Sequence, residues 1–145
     1  MKLLILNGPN LNLLGKREPE IYGSMSLQML IDGLIARFPQ HEIGHEQSNH
    51  EGQLIDLLHK ANGIYDAVVF NPGAYAHTSL AIADAVRAIS VPVVEVHISN
   101  IHAREEYRSF SYVSAAAAGV ISGFGLESYA LGIAAAENLV KKPIS

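Results

Sequence analysis

Four short apolar runs, separated by stretches of helical periodicity, constrain this chain more than any other feature of its sequence. They are Leu3 to Leu6, Ala67 to Phe70, Val93 to Val96 and Gly119 to Ile121, each bounded by Gly, Pro, Asn or Ser. Such runs are what parallel strands covered on both faces require. A fifth, about His41 to Gln47, has Ile43 as its one large apolar residue and reads as an edge strand.

Between the runs the period changes to that of a helix. Leu27, Leu30, Ile31, Leu34, Ile35 and Phe38 fall on one helical face, and Pro39 follows. Leu54, Leu57, Leu58 and Ala61 mark a second helix, with Ser48-Asn49-His50-Glu51 in the S-x-x-E pattern of a capping box. A third follows Thr78, with Leu80, Ala83, Val86 and Ile89 inward, and a fourth spans about Glu127 to Val140. Strands alternating with helices build right-handed βαβ units. The fold expected is α/β: a doubly wound, five-stranded parallel sheet of order 2-1-3-4-5 with helices on both faces. Its ligand belongs at the carboxyl ends of the strands, near the switch point between the first and third.

Composition narrows the function. A chain of 145 residues that is 49% hydrophobic is sized for a single domain over residues 1–145. With a net charge of −4 and ten Lys and Arg without a basic stripe, a nucleic-acid partner is not expected. No apolar run reaches the roughly 18 residues of a membrane span, and no cleavage signal precedes the first strand, so a cytoplasmic protein is expected. Cysteine is absent, which excludes thiolate metal sites and cysteine nucleophiles.

Polar residues gather where the fold places a site: Asn7 and Asn10 after the first strand, Asn71 after the third, and Glu95, His97 and Ser99 along the fourth. Residues two apart on a strand share a face, so Glu95 can fix the tautomer of His97 and support its protonated form. On these grounds His97 is an acid or a base, or a hydrogen-bonded core histidine. The segment from about 11 to 24 is longer than a crossover needs and carries Gly15, Arg17, Tyr22 and Gly23, which suits a lid. A free tyrosine, with pKa about 10, is about 0.1% ionised at pH 7, and a guanidinium beside it would raise that fraction. The same residues also fit a solvated loop.

Five separated motifs then carry a resemblance over nearly the whole chain: NGPNLNLLG from Asn7, REPEIYG from Arg17, SNHEGQLID from Ser48, NPGAYAHTS from Asn71 and EVHISNIHAREEYR from Glu95. Together they resemble type II 3-dehydroquinate dehydratase, the type II dehydroquinases. The resemblance implies a flavodoxin-like fold and trans elimination of water from 3-dehydroquinate to give 3-dehydroshikimate through an enolate. It implies no metal or organic cofactor, a homododecamer built from trimers, and a place in the shikimate pathway or in quinate breakdown. By motif, Tyr22 resembles the base, Arg17 the group promoting its ionisation, His97 the general acid, Glu95 the carboxylate orienting it, and Asn10 the residue holding the enolate oxygen, through water. Asn71, His77 and Arg108 resemble contacts to substrate hydroxyls, Ile98 and Ser99 the carboxylate site, and Asp84 a residue reaching a site from a neighbouring subunit. His77 and Asp84 are seven apart, a spacing one helix can present on a single face. Arg104 fits either the lid and ligand field or a surface ion pair, and Tyr75 fits either a binding role as a second loop tyrosine or, better, packing beside Pro72. Ala76, Tyr107 and Ala115 stand where Thr, Phe and Pro are common.

Other functions fit less well. A receiver domain needs carboxylates where Asn7, Asn10 and Asn71 stand, and a flavodoxin needs a Ser/Thr-rich loop after the first strand. Gly123 and Gly125 have no third glycine at the spacing a dinucleotide loop uses. His41 and His45 have no third metal ligand close by in sequence. The remaining alternative is a non-catalytic small-molecule binding protein of flavodoxin-like fold, which would keep its function on losing Tyr22 or His97.

Overall fold

The computed structural model describes residues 1–16 and 19–141, with the side chains of Ile21 and Tyr22 outside the described set. The strands are β1 (Lys2–Asn7), β2 (Glu42–Gln47), β3 (Ala67–Asn71), β4 (Val93–His97) and β5 (Gly119–Ser122). The helices are α1 (Pro19–Tyr22), α2 (Leu27–Arg37), α3 (Glu51–Ala61), α4 (Leu80–Ala88) and α5 (Glu127–Lys141). The strands form one sheet in the order β2-β1-β3-β4-β5, every pair parallel. This is the flavodoxin-like order expected from the run-and-period pattern, and it brings the ends of β1 and β3 together with Asn7 opposite Asn71.

Alternation along each strand divides the core. Leu3, Ile5, Val69, Val94 and Val96 pack with α2 and α5 on one face, while Leu4, Leu6, Val68, Phe70 and Val93 pack with α3 and α4 on the other. Each such side chain, fully buried, contributes about 1.5–3 kcal/mol. The close approach of α5 to the sheet needs Gly132: a Cβ there would lie 2.9 Å from Val96 Cγ1 and 3.0 Å from Val69 Cγ1. A second glycine constraint sits at the switch point, where a Cβ on Gly8 would come within 2.4 Å of the Pro72 carbonyl oxygen. The Gly8 amide donates to the Asn71 carbonyl at 2.7 Å, so the loops after β1 and β3 are laced together beneath the site.

Four expectations are corrected. Ser48 does not cap α3: its Oγ accepts from the His50 amide at 3.0 Å and donates to Gln53 at 2.6 Å, while the Glu51 carboxylate receives the Ser79 hydroxyl at 2.6 Å. The helix begins two residues later than the S-x-x-E reading requires, with His50 at its N-cap, so serine and glutamate serve other partners. Leu80, at 60% exposed, opens α4 facing outward, because Ser79 caps that helix through the Ile82 amide and turns Ile82, Ala83, Ala85 and Val86 inward. Ile35 is 45% exposed at the margin of the buried stripe of α2. The run at β5 is not covered on both faces, since β5 pairs only with β4 and Gly119 and Val120 are exposed.

Candidate active site

A cleft of about 170 Å³ opens at the carboxyl ends of β1, β3 and β4, where the strand order reverses. Asn10 reaches it from the loop after β1, and Asn71 from the end of β3. His77 comes from a 3-10 turn, Gly73–His77, that follows β3. The end of β4 supplies His97, Ile98 and Ser99, and the next loop supplies Arg108.

The pair foreseen on β4 is formed. Glu95 is completely buried and accepts a hydrogen bond from His97 Nε2. Ser111 donates its hydroxyl to Glu95 Oε2 at 2.9 Å and Ser114 donates to Oε1 at 2.8 Å. Burial pushes the Glu95 carboxyl upward, but the hydrogen bond and charge of His97 and the two hydroxyls outweigh it and hold the group below the usual carboxylate range. The consequence is an anion that fixes which ring nitrogen does what. With Nε2–H committed to Glu95, Nδ1 is left as the nitrogen through which the ring can exchange a proton with a ligand.

His77 stacks on His97 with ring centroids 6.1 Å apart. Its Nδ1–H donates to the Phe110 carbonyl at 2.6 Å, so Nε2 of the neutral ring is an acceptor. Burial depresses its pKa, helped by the nearby His97 and Arg108 charges and opposed by the Phe110 carbonyl and Glu95. A neutral imidazole with an open acceptor suits a ligand hydroxyl.

Asn71 is held at both ends of its amide. Its Oδ1 accepts from the Gly73 amide at 3.1 Å and its Nδ2 donates to the Tyr129 hydroxyl at 2.9 Å. Tyr129 in turn donates to Asn7 Oδ1 at 2.6 Å, and Asn7 Nδ2 donates to His45 Nε2 at 3.2 Å. A directed chain of hydrogen bonds therefore runs from β2 at the sheet edge to the cleft floor. Asn10 adopts a left-handed backbone, φ 70°, which asparagine tolerates better than most residues. Its amide donates to Asn49 Oδ1 at 3.0 Å, while its side chain does not cap the 3-10 turn Leu11–Leu13 that it opens.

Arg17 and the side chain of Tyr22 lie outside the described residues. Asp84, 78% exposed and 3.5 Å from Arg87, does not line this cleft. It does not share a helix with His77 either, because Thr78 and the Ser79 cap separate the 3-10 turn from α4. Arg104 lines the cleft and donates to Ser99 Oγ at 3.4 Å, with Glu105 3.9 Å away. Arg108 Nε lies 2.9 Å from Glu105 Oε2, an ion pair between residues three apart. Sequence reasoning missed Ser111, Ser114 and Tyr129, whose roles depend on contacts 16 or more residues away. Among the described residues no three His, Asp or Glu form a group that could hold a metal ion. His41 Nε2 instead meets Glu137 at 2.7 Å.

The model of the family described as dehydroquinase class II matches residues 1–137 of this chain. The chain belongs to the class II dehydroquinase family. Among curated members, the 3-dehydroquinate dehydratase of Exiguobacterium is 58% identical over 132 residues, covering 90% of each chain. That of Corynebacterium glutamicum is 52% identical over 142 residues, covering 97% of this chain and 98% of the relative. The crystal structure of type II dehydroquinase from Butyrivibrio crossotus superposes with a TM-score of 0.92 at 42% identity, covering 94% of this chain and 97% of that one. The class II dehydroquinase fold thus extends across the sheet, the cleft and α5.

Proposed function

We propose that this chain is a hydro-lyase that eliminates water from 3-dehydroquinate to give 3-dehydroshikimate. The observation that carries the reading is the ionised, buried Glu95 holding His97 at the wall of a cleft in a class II dehydroquinase chain. A hydroxide is a poor leaving group and needs a proton as it departs, and a carboxylate-supported imidazole is suited to give one. In this proposal Tyr22, its ionisation promoted by Arg17, removes the proton from the carbon beside the ketone. The resulting enolate is held through water by Asn10, and His97 then protonates the departing hydroxyl in a trans elimination. The donors around the oxyanion supply the electrostatic part of the catalysis. Ile98 and Ser99 take the substrate carboxylate, while Asn71, His77 and Arg108 take its hydroxyls. The step needs neither a metal nor an organic cofactor.

The same reading assigns residues 1–145 to one catalytic domain and about 11–24 to a lid. It assigns the chain to a cytoplasmic homododecamer built from trimers, in which Asp84 completes a neighbour's site, and to the shikimate pathway or quinate breakdown. No helix among the described residues is long and apolar enough to cross a membrane.

The test is incubation with 3-dehydroquinate in the presence of a metal chelator, following the absorbance of the conjugated enone product. Product is expected, and His97→Asn and Tyr22→Phe should each lower turnover by about 10²–10⁴-fold with circular dichroism unchanged. Binding of 3-dehydroquinate without turnover would replace the enzyme with a binding protein.

A further inference from the structure

The loop between β4 and β5 presents two hydroxyls to one carboxylate, and its backbone is fixed so that it must. Tyr112 N–H donates to the Ala76 carbonyl at 2.8 Å, Val113 is completely buried, and Ala118 N–H donates to the Val93 carbonyl at 2.8 Å. Between these anchors Ser111 Oγ accepts the Ser114 amide at 3.2 Å, so its own proton is directed to Glu95. Glu95 Oε2 therefore receives two donors, from His97 and Ser111, and Oε1 receives one, from Ser114.

We propose that Ser111 and Ser114 are positioning residues that act through Glu95 to set the proton affinity of the His97 imidazole. A buried carboxylate left with the imidazole as its sole donor would concentrate its charge on that one partner and bind the shared proton more tightly. Two serine hydroxyls spread that charge over both oxygens. They keep Glu95 anionic at a smaller cost in His97 acidity, so the ring can release its proton to a ligand. Among the described residues, the other charged or titratable groups facing the pair are His77 from the 3-10 turn after β3, and Arg104 and Arg108 from the loop after β4. None of these hydrogen-bonds Glu95, so none replaces a lost hydroxyl.

The inference rests on the acid role proposed for His97, and its test does not depend on turnover. Histidine labelled with ¹⁵N and ¹³C is followed by NMR across pH in the ligand-free protein, the His97 signals being identified by their absence in His97→Asn. Neutral His97 should show the Nε2–H tautomer. Ser111→Ala and Ser114→Ala should each raise the His97 midpoint by about half a unit to one unit. Ser114→Thr, which keeps a hydroxyl, should restore it. Either alanine variant decides the matter even where the other does not fold. A His97 midpoint unmoved in a folded alanine variant overturns the inference, whatever happens to activity. A raised midpoint with no matching shift in the alkaline limb of the turnover profile would sustain it and remove His97 from the acid role instead.

Discussion

His45 and His77 show how burial of single residues becomes a property of the folded state. Burial holds both imidazoles below the ordinary histidine value, with Glu46 partly opposing it at His45 and the Phe110 carbonyl and Glu95 opposing it at His77. A group whose folded pKa is depressed binds its proton more readily when unfolded, so stability is full above pH 6.5 and falls as pH drops through the folded value. Glu95 has the same sign in the carboxylate range, adding a second loss below about pH 4.5. Thermal midpoints at constant protein concentration should therefore fall between pH 7.5 and 5.5, and the fall should be smaller in His45→Gln. An equal fall in that variant would remove His45 from the account. At this scale the β4 pair was legible because two residues on a strand share a face whatever surrounds them. Ser111, Ser114 and Tyr129 were not, because serines and a tyrosine carry no periodic signal. Their partners are set by how the loop before β5 and the start of α5 dock on the sheet.

The elements were legible where a buried stripe is continuous and blurred at their ends. In α2 the spacing from Leu27 to Leu34 is buried as read, and only the flanking Ile35 turns out. In α4 one cap changed the reading: Ser79 at the N-cap sets the phase, and Leu80 falls outside it. The capping pattern at Ser48 failed because its serine and glutamate find Gln53 and Ser79 in space. Gly132 is the sharpest element-scale case, since glycine inside a helix ordinarily weakens it by about 1 kcal/mol relative to alanine. Here it lets α5 settle on Val96 and Val69. Gly132→Ala should therefore destabilise by about 1–3 kcal/mol despite its better helix propensity, read as a lower urea midpoint with unchanged slope. A gain in stability would show that α5 can lift from the sheet at no cost.

At the scale of the whole molecule, the sheet gathers a cleft at its switch point and leaves large apolar side chains outside. Leu80 is 60% exposed, Tyr107 70%, Phe110 60% and Phe124 65%. The Asp84 side chain is exposed on α4 and lines no part of the cleft described here; in the proposed assembly it serves a neighbouring chain's site. The proposed dodecamer should give a light-scattering mass roughly twelve times the 15.6 kDa of one chain. Sharing of sites between chains has a stricter consequence. Asp84→Ala chains retain His97, and His97→Asn chains retain Asp84, so oligomers refolded from a mixture contain some sites with both groups intact. Their activity per chain should exceed the mean of the two variants refolded apart. Activity equal to that mean would mean that Asp84 completes no neighbour's site, and a monomer with full turnover would make the same point directly.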